Sequence, residues 1–103
     1  MRRAGRVIPR RANGLGAAVV ALKPGAVMDW HSTGSREELV IALAGRVQVH
    51  TAKTPPAFCG AGCCDVAVVR AGQCAFLPRE TFHCVINRSA KQARYLYVTA
   101  SAT

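Results

Sequence analysis

The chain has 103 residues, half of them apolar and 6% aromatic, and its formal net charge is +9. This length suits one domain and is too short for two, and the apolar content suits a compact β-rich domain better than a disordered chain. No apolar run approaches the roughly 18 residues that a membrane helix needs. We therefore expect no membrane span. The apolar run GLGAAVVAL is interrupted by Lys23, Pro24 and Gly25, which disfavours a signal peptide, so we expect a cytoplasmic location.

The N-terminus is strongly basic, so residues 1–12 are interpreted as a basic N-terminal arm that precedes a single domain over residues 13–103. The arginines of this arm are Arg2, Arg3, Arg6, Arg10 and Arg11. Such an arm can bind phosphate backbones through counterion release. No aromatic residue interleaves with these arginines to stack on bases. We expect a solvated tail, and nucleic acid is only a minor hypothesis.

Short apolar or alternating segments follow in chain order, separated by glycine and proline. They are AAVVAL, AVMDWH, ELVIAL, RVQVHT, DVAVVR, QCAFLP, FHCVIN and ARYLYVT. Segments this short, bounded by turn residues and without a sustained helical period, predict strands. About eight strands in one domain predict an all-β barrel or sandwich with little or no helix. The longest break is AKTPPAFCGAGCC, residues 52–64, whose role is left open.

The cysteines do not form a recognisable site. Cys59, Cys63 and Cys64 cluster in the long break, whereas Cys74 and Cys84 fall in predicted strands. The cluster lacks the second C-x2-C half of a structural zinc site, and an odd count of five argues against a complete disulfide framework. We expect mostly free thiols in a reducing cytoplasm, with Cys74 and Cys84 buried as small hydrophobes.

The stretch HSTGSREE, residues 31–38, concentrates polar chemistry before a predicted strand. Side chains alternate across a strand, so Glu37 and Glu38 point to opposite faces. Glu38 shares its face with the small residues Val40 and Ala42, which would leave room for a ligand inside a barrel. The residues alone leave the choice open, because the bulkier face that carries Glu37 and Leu39 could equally be the core.

Two spaced patterns resemble the cupin motifs. The first pattern, G-x5-H-x-H-x3-4-E-x6-G, is matched by Gly25, His31, Glu38 and Gly45, with Thr33 in place of the second histidine. The second pattern, G-x5-P-x-G-x2-H-x3-N, is matched by Gly72, Pro78, His83 and Asn87, with Glu80 where the family has glycine. The chain is thus identified as similar to small single-domain cupins. The resemblance implies a jelly-roll β-barrel, and its spacing selects Glu38 as the inward glutamate.

The cupin resemblance also implies a metal site. In the family, histidines and a glutamate of both motifs bind a divalent metal inside the barrel. The residues that match these positions are His31, Glu38 and His83, and the hydroxyl of Thr33 is a candidate weak or water-mediated ligand. Two imidazoles and one carboxylate suit Fe, Mn, Zn or Ni, and the sequence does not choose among them.

Two functions remain open at this stage. The first is a metal-containing cupin that binds a small molecule, with dioxygenase, isomerase or lyase activity as the candidate chemistry. The alternative is a metal-free cupin that acts as a small-molecule binding or sensor domain without catalysis. Membership of a fold cannot decide between them.

Further expectations concern the pocket and the assembly. The pocket walls are predicted to include Val40, Ala42, Phe76 or its neighbour Leu77, and Val85. The cupin resemblance implies a homodimer, and pairing would also remove an exposed edge strand. Candidate interfaces are the N-terminal strand region and the apolar face that carries Leu39, Ile41 and Leu43.

Overall fold

The computed structural model describes residues 2–6, 14–54 and 64–101. Its strands are β1 (Arg2–Arg6), β2 (Leu15–Leu22), β3 (Val27–Ser32), β4 (Arg36–Ala44), β5 (Arg46–Ala52), β6 (Asp65–Arg70), β7 (Cys74–Leu77), β8 (Phe82–Ile86) and β9 (Ala93–Ser101). These residues include no helix, so the predicted all-β class is confirmed. Within them, no helix is long and apolar enough to cross a membrane.

The strands form two antiparallel sheets of jelly-roll type. The larger sheet has the order β1-β2-β9-β4-β7, and the smaller sheet has the order β3-β8-β5-β6. The last strand, β9, lies between β2 and β4, and β8 lies between β3 and β5. Apart from the adjacent pairs β1–β2 and β5–β6, each strand is followed in the chain by a strand of the other sheet. The eight segments predicted as strands correspond to β2 through β9.

Strand β1 was not predicted. Arg2 pairs with Ala21 and Arg6 with Ala18, and the register shifts between Arg3 and Gly5. Arginine and glycine give little strand signal in a sequence. An edge strand, however, needs backbone pairing on one side only and tolerates charged residues. Residues 2–6 of the predicted arm are thus part of the larger sheet, and residues 7–12 of that arm lie outside the described ranges.

The core lies between the two sheets and is mostly aliphatic. Its members are Val20, Leu22, Val40, Ala42, Val47, Val49, Val69, Leu77, Val85, Ala93 and Tyr95. Strand β4 shows how the chain builds it, because Glu38 and Val40 are buried whereas Glu37 and Leu39 are exposed. The face with the smaller side chains therefore points inward, and the bulkier face points to solvent.

Two turn positions have backbone angles that favour glycine. Gly45, between β4 and β5, has a φ of 72°, and a Cβ there would lie 3.1 Å from the carbonyl oxygen of Gln92. This turn needs glycine for both its conformation and its close packing. Glu80 has a φ of 55° at the position where the second motif has glycine. The backbone thus keeps the left-handed turn of the motif although the side chain has changed.

Asn87 ties the ends of several strands together just after β8. Its Nδ2 donates hydrogen bonds to the carbonyl oxygens of Leu22 (2.9 Å) and Lys91 (2.8 Å). Its Oδ1 accepts hydrogen bonds from the backbone N–H (2.9 Å) and the hydroxyl (2.7 Å) of Ser89. The side chain is completely buried and fully paired, so this motif residue has a structural role.

Candidate functional site

A cavity of about 390 Å³ lies between the sheets and is lined by His83 near the start of β8, whereas Asn87 follows the end of that strand. Residues of β3, β4, β8 and β9 and of the turn between β3 and β4 line it: Met28, His31, Ser32, Thr33, Arg36, Glu38, His83, Val85, Tyr95, Tyr97 and Thr99. Its volume falls in the range of small-molecule sites. All three residues matched to the metal ligands of the family are among these lining residues.

His31, Glu38 and His83 converge in this cavity. Each offers one possible ligand atom, and these atoms lie within 4.8 Å of one another. His31 and His83 are paired across β3 and β8 of the smaller sheet, and their ring centroids are 4.1 Å apart. Glu38 reaches the same point from β4 of the larger sheet. The geometry therefore gathers two imidazoles and one carboxylate from facing sheets.

The ring of His31 is oriented by its own strand. Its Nδ1 lies 2.9 Å from the carbonyl oxygen of Asp29. Since a carbonyl oxygen can only accept a hydrogen bond, Nδ1 carries the proton in this contact and Nε2 keeps a free lone pair. Metal-binding histidines commonly have their other ring nitrogen fixed by such a backbone contact. In this arrangement Nε2 of His31 could bind a metal ion.

His83 is buried without any hydrogen bond. Its exposed fraction is 0%, and neither Nδ1 nor Nε2 has a hydrogen-bond partner. Nε2 lies 3.3 Å from Oε2 of Glu38, but this close contact lacks the alignment of a hydrogen bond. Leaving a buried polar group unpaired costs about 1–3 kcal/mol. A cation between Nε2 and the carboxylate would give both groups a partner, so the donor set fits a divalent metal.

Thr33, which replaces the second histidine of the first motif, is engaged with the backbone. Its hydroxyl donates to the carbonyl oxygen of Pro78 at 2.8 Å and accepts the N–H of Thr81 at 3.1 Å. These bonds fasten the turn after β3 to the segment before β8. One lone pair of the hydroxyl remains for a metal ion or a water molecule, and the predicted weak-ligand role stays a prediction.

The predicted pocket walls are only partly those of the cavity. Val85 is among the residues that line the cavity. Val40 and Ala42 point inward on β4 but belong to the packed core, and neither of them lines the cavity. The inward residues of β4 up to Glu38 therefore line the cavity, and the inward residues after Glu38 pack in the core.

Phe76, which was predicted as a pocket wall, does not line this cavity. Leu77 pairs with Glu38 and is 1% exposed, whereas Phe76 pairs with the outward residue Leu39 and is 57% exposed. Alternation along β7 places these neighbours on opposite faces of the larger sheet. The sequence could not choose between them, because the register of β7 against β4 was unknown.

Several cavity residues were not predicted, among them Arg36, Tyr97 and Thr99. Arg36 lies two residues before Glu38 on the same strand, so alternation alone would have placed it on the inward face. Tyr97 and Thr99 lie on β9, where Thr99 pairs with Glu38. Only the pairing of β9 with β4 reveals which face of β9 meets the cavity.

The cysteines of the described strands lie outside this site. Cys84 is buried, and its burial, aided by the carboxylate of Asp29, raises the pKa of its thiol to about 11. It is thus protonated and unreactive at neutral pH. Cys74 was expected to be buried but is exposed, because it lies on the outward face of β7. Cys59 and Cys63 lie outside the described residues.

Comparisons with known proteins agree with this architecture. A protein of Thermus thermophilus is 26% identical, with a TM-score of 0.74 over 94% of this chain and 82% of that one. The Schizosaccharomyces pombe Cnp3 cupin domain is 15% identical, with a TM-score of 0.75 over 95% of this chain and 59% of that one. An oxalate oxidase, solved in complex with the substrate analogue glycolate, is 22% identical, with a TM-score of 0.72 over 85% of this chain and 42% of that one.

The chain thus spans less than two thirds of the length of the Cnp3 and oxalate oxidase chains. A comparison with curated proteins found no match. The family model described as "Cupin domain" matches residues 18–99, which include both motifs and all three candidate ligands. The chain therefore belongs to the cupin domain family.

Proposed function

We propose that His31, Glu38 and His83 bind a divalent metal ion and that the adjoining cavity holds a small-molecule ligand. The main support is His83, which is buried with both ring nitrogens unpaired beside a buried carboxylate. A protein seldom keeps such an imidazole unless something outside the chain satisfies it. A metal ion bound by Nε2 would give that nitrogen a partner and would also offset the charge of Glu38.

The protein residues would hold the metal and limit access to it. His31 presents its Nε2 because Nδ1 is fixed by Asp29, and Glu38 supplies the anionic oxygen. Three ligands leave coordination positions open for a ligand molecule or water, so the metal would supply Lewis-acid or, if it is iron, oxygen chemistry. Val85 and Tyr97 line the same cavity and keep part of its wall apolar. A dioxygenase, isomerase or lyase is compatible with this arrangement.

The metal-free alternative receives less support from the geometry. A metal-free pocket would leave His83 and Glu38 to satisfy each other by a hydrogen bond. Nε2 of His83 and Oε2 of Glu38 are close, at 3.3 Å, yet no hydrogen bond joins them. The arrangement therefore favours a bound cation over a self-contained pair.

The metal content of protein purified without an affinity tag tests this proposal. We expect about one divalent ion per chain in the unaltered protein and a loss of at least tenfold in affinity for Glu38→Gln, because an amide lacks the anionic oxygen. The matched control is Glu37→Gln on the same strand, which should bind metal normally because Glu37 points to solvent. Metal-free protein that does not take up Zn, Mn, Fe or Ni, or equal losses in both variants, would refute the proposal.

We further propose a homodimer that forms through the outer face of the larger sheet. Four large apolar side chains of that face are exposed: Leu15, Leu39, Leu43 and Phe76. Cross-strand pairs join Phe76 to Leu39 and Leu39 to Val98, so apolar residues run across neighbouring strands. A continuous apolar face of this kind marks an interaction surface, and a symmetric copy of the same face complements it.

Sedimentation analysis at micromolar concentration tests the dimer. Leu39→Lys should convert the dimer to a monomer, because it places a charge at the centre of the apolar face. Val68→Lys, on the smaller sheet, is the control and should leave the dimer intact. A monomeric parent protein, or equal effects of both changes, would contradict the proposal.

We also propose that the protein is located in the cytoplasm. Cys74 is an exposed free cysteine, and an exposed thiol remains reduced in a reducing compartment.

A further inference from the structure

We propose that the ligand of this cavity is a small carboxylate and that Arg36 binds its carboxylate group. The inference rests on the proposed function, because it assumes that the cavity beside His31, Glu38 and His83 takes a ligand. It adds the chemical class of that ligand and a residue that recognises it.

Arg36 brings a permanent positive charge into the cavity. It begins β4, two residues before Glu38, and both side chains line the cavity. Its Nη1 donates a hydrogen bond to Oγ1 of Thr99 at 3.3 Å. Arginine stays protonated under all ordinary conditions, so the cavity always contains this cation.

The charge of Arg36 has no carboxylate partner within residues 14–54 and 64–101. The ion pair found in those ranges joins His83 to Glu38 and does not include Arg36. Glu37, its neighbour in sequence, is exposed on the opposite face of β4. Most N–H donors of the guanidinium group are therefore available to a ligand. A half-buried guanidinium that faces a cavity and has no ion-pair partner is suited to bind an anionic ligand.

The contact that orients Arg36 depends on a glycine. Gly16 pairs with Thr99 across β2 and β9, and a Cβ at Gly16 would lie only 2.9 Å from Oγ1 of Thr99. Gly16 therefore leaves room for the hydroxyl that holds Nη1. Strands β2, β9 and β4 together fix the guanidinium group at the wall of the cavity.

The charge balance of the cavity favours an anionic ligand. Its lining contains one carboxylate, on Glu38, and one guanidinium, on Arg36. A divalent metal bound by Glu38 would give the cavity a net positive charge that a neutral ligand would leave uncompensated. The two oxygens of a carboxylate can accept two parallel hydrogen bonds from the planar guanidinium group. The chain's net charge of +9 also attracts anions.

The rest of the wall limits the remainder of the ligand. Met28 and Val85 are apolar, and Tyr97 adds an aromatic ring. In a cavity of about 390 Å³ these side chains fit a compact organic acid with an apolar portion. Propionate is a suitable probe because propionamide has nearly the same shape and no charge.

Titration of the protein with propionate and propionamide, followed by nuclear magnetic resonance, tests the proposal. We expect propionate to shift the Nε–H resonance of Arg36 and to bind at least tenfold more tightly than propionamide. Arg36→Gln should remove this preference. Arg70→Gln, which changes an exposed arginine of β6, should retain it. Equal binding of the two probes, or unchanged preference in Arg36→Gln, would overturn the proposal.

A second variant tests whether Thr99 orients Arg36, and it distinguishes this role from a general loss of folded protein. Thr99→Val keeps the shape of the side chain and removes the hydroxyl. It should shift the Nε–H resonance of Arg36 in the ligand-free protein and weaken propionate binding about threefold, with binding of propionamide unchanged. Loss of binding for both probes alike would show that Thr99 does not act through Arg36.

The same titration distinguishes failure of this proposal from failure of the metal proposal. Metal content is measured separately, and Arg36→Gln should still bind one Zn ion per chain. The titration is run on both Zn-loaded and metal-free protein, with tighter propionate binding expected in the former. A protein that binds no metal but prefers propionate through Arg36 would refute only the metal site. A protein that binds metal without this preference would refute only the carboxylate assignment.

Discussion

His83 and Asn87 are buried polar residues of the second motif, and their surroundings are opposite. Both are 0% exposed. The amide of Asn87 makes four hydrogen bonds, to Leu22, Lys91 and twice to Ser89. The imidazole of His83 makes none.

This difference between His83 and Asn87 reflects a difference between the two ends of the barrel interior. At the end near Asn87, polar groups are paired and the neighbouring side chains belong to the aliphatic core. At the end near His83, the unpaired imidazole of His83 lines an open cavity together with Arg36 and Glu38. Burial of a polar side chain costs free energy at both ends, and hydrogen bonds within the chain offset that cost for Asn87 but not for His83. We infer that the first end serves stability and the second serves binding.

Asn87→Ala should produce the largest loss of stability. It removes the donors to the carbonyl oxygens of Leu22 and Lys91 and the acceptor for Ser89. The expected decrease in the free energy of unfolding is about 3 kcal/mol, since several buried groups lose partners at once. Urea unfolding measures this value. Metal affinity should change less than threefold, and a stability change under about 1 kcal/mol would contradict the structural role of Asn87.

Thr33→Val should give the next largest effect. The hydroxyl joins the backbone of Pro78 and Thr81, so its removal leaves a buried N–H and a carbonyl oxygen unpaired. We expect the free energy of unfolding to fall by about 2 kcal/mol in the metal-free protein. Metal affinity, measured by calorimetric titration, should fall less than threefold. A loss of tenfold or more would instead identify Thr33 as a metal ligand.

His83→Leu should change stability in the opposite direction from Asn87→Ala. Leucine has a similar volume and no polar atoms, so it removes an unpaired imidazole from a buried position. In the presence of a chelator, we expect the free energy of unfolding to rise by about 1 kcal/mol. Urea unfolding of the metal-free proteins checks this. A decrease of more than about 1 kcal/mol would show that His83 contributes to folding without metal.

Glu80→Gly should give the smallest effect. Glu80 has a φ of 55°, a conformation that costs a residue with a side chain about 1–2 kcal/mol, so glycine should relieve this strain. The greater freedom of glycine in the unfolded chain offsets part of the stability gained in this way. The expected net increase in the free energy of unfolding is about 0.5–1 kcal/mol. Arg79→Gly, at the preceding residue, is the control and should be destabilising. A decrease in stability for Glu80→Gly would show that the glutamate side chain makes a favourable contact.

Much of the fold could be predicted because it depends on local patterns. Turn residues and alternation located β2 through β9, and the spacing of the two motifs identified His31, Glu38 and His83 before their proximity was known. The inward direction of Glu38 followed from counting to Gly45, and the structure places Glu38 on the buried face.

The remaining features depend on pairing between strands, which a single sequence does not specify. The register of β7 against β4 decides that Leu77, not Phe76, faces inward. The position of β9 beside β4 brings Thr99 and Tyr97 to the cavity. The sequence RRAGR of β1 has almost no intrinsic strand signal, and only its backbone pairing with β2 identifies it as a strand.

The central claim is that His31, Glu38 and His83 bind a metal ion. The most direct test is the effect of metal on the free energy of unfolding, compared between the unaltered protein and a variant that lacks His83. The free energy of unfolding is measured for the unaltered protein and for His83→Leu, each with chelator and with zinc. At a free zinc concentration of about 100 times Kd, the unaltered protein should gain about 2.7 kcal/mol. His83→Leu should gain almost nothing at the same concentration. Equal gains in both proteins, or no gain in the unaltered protein, would contradict a metal site at His31, Glu38 and His83.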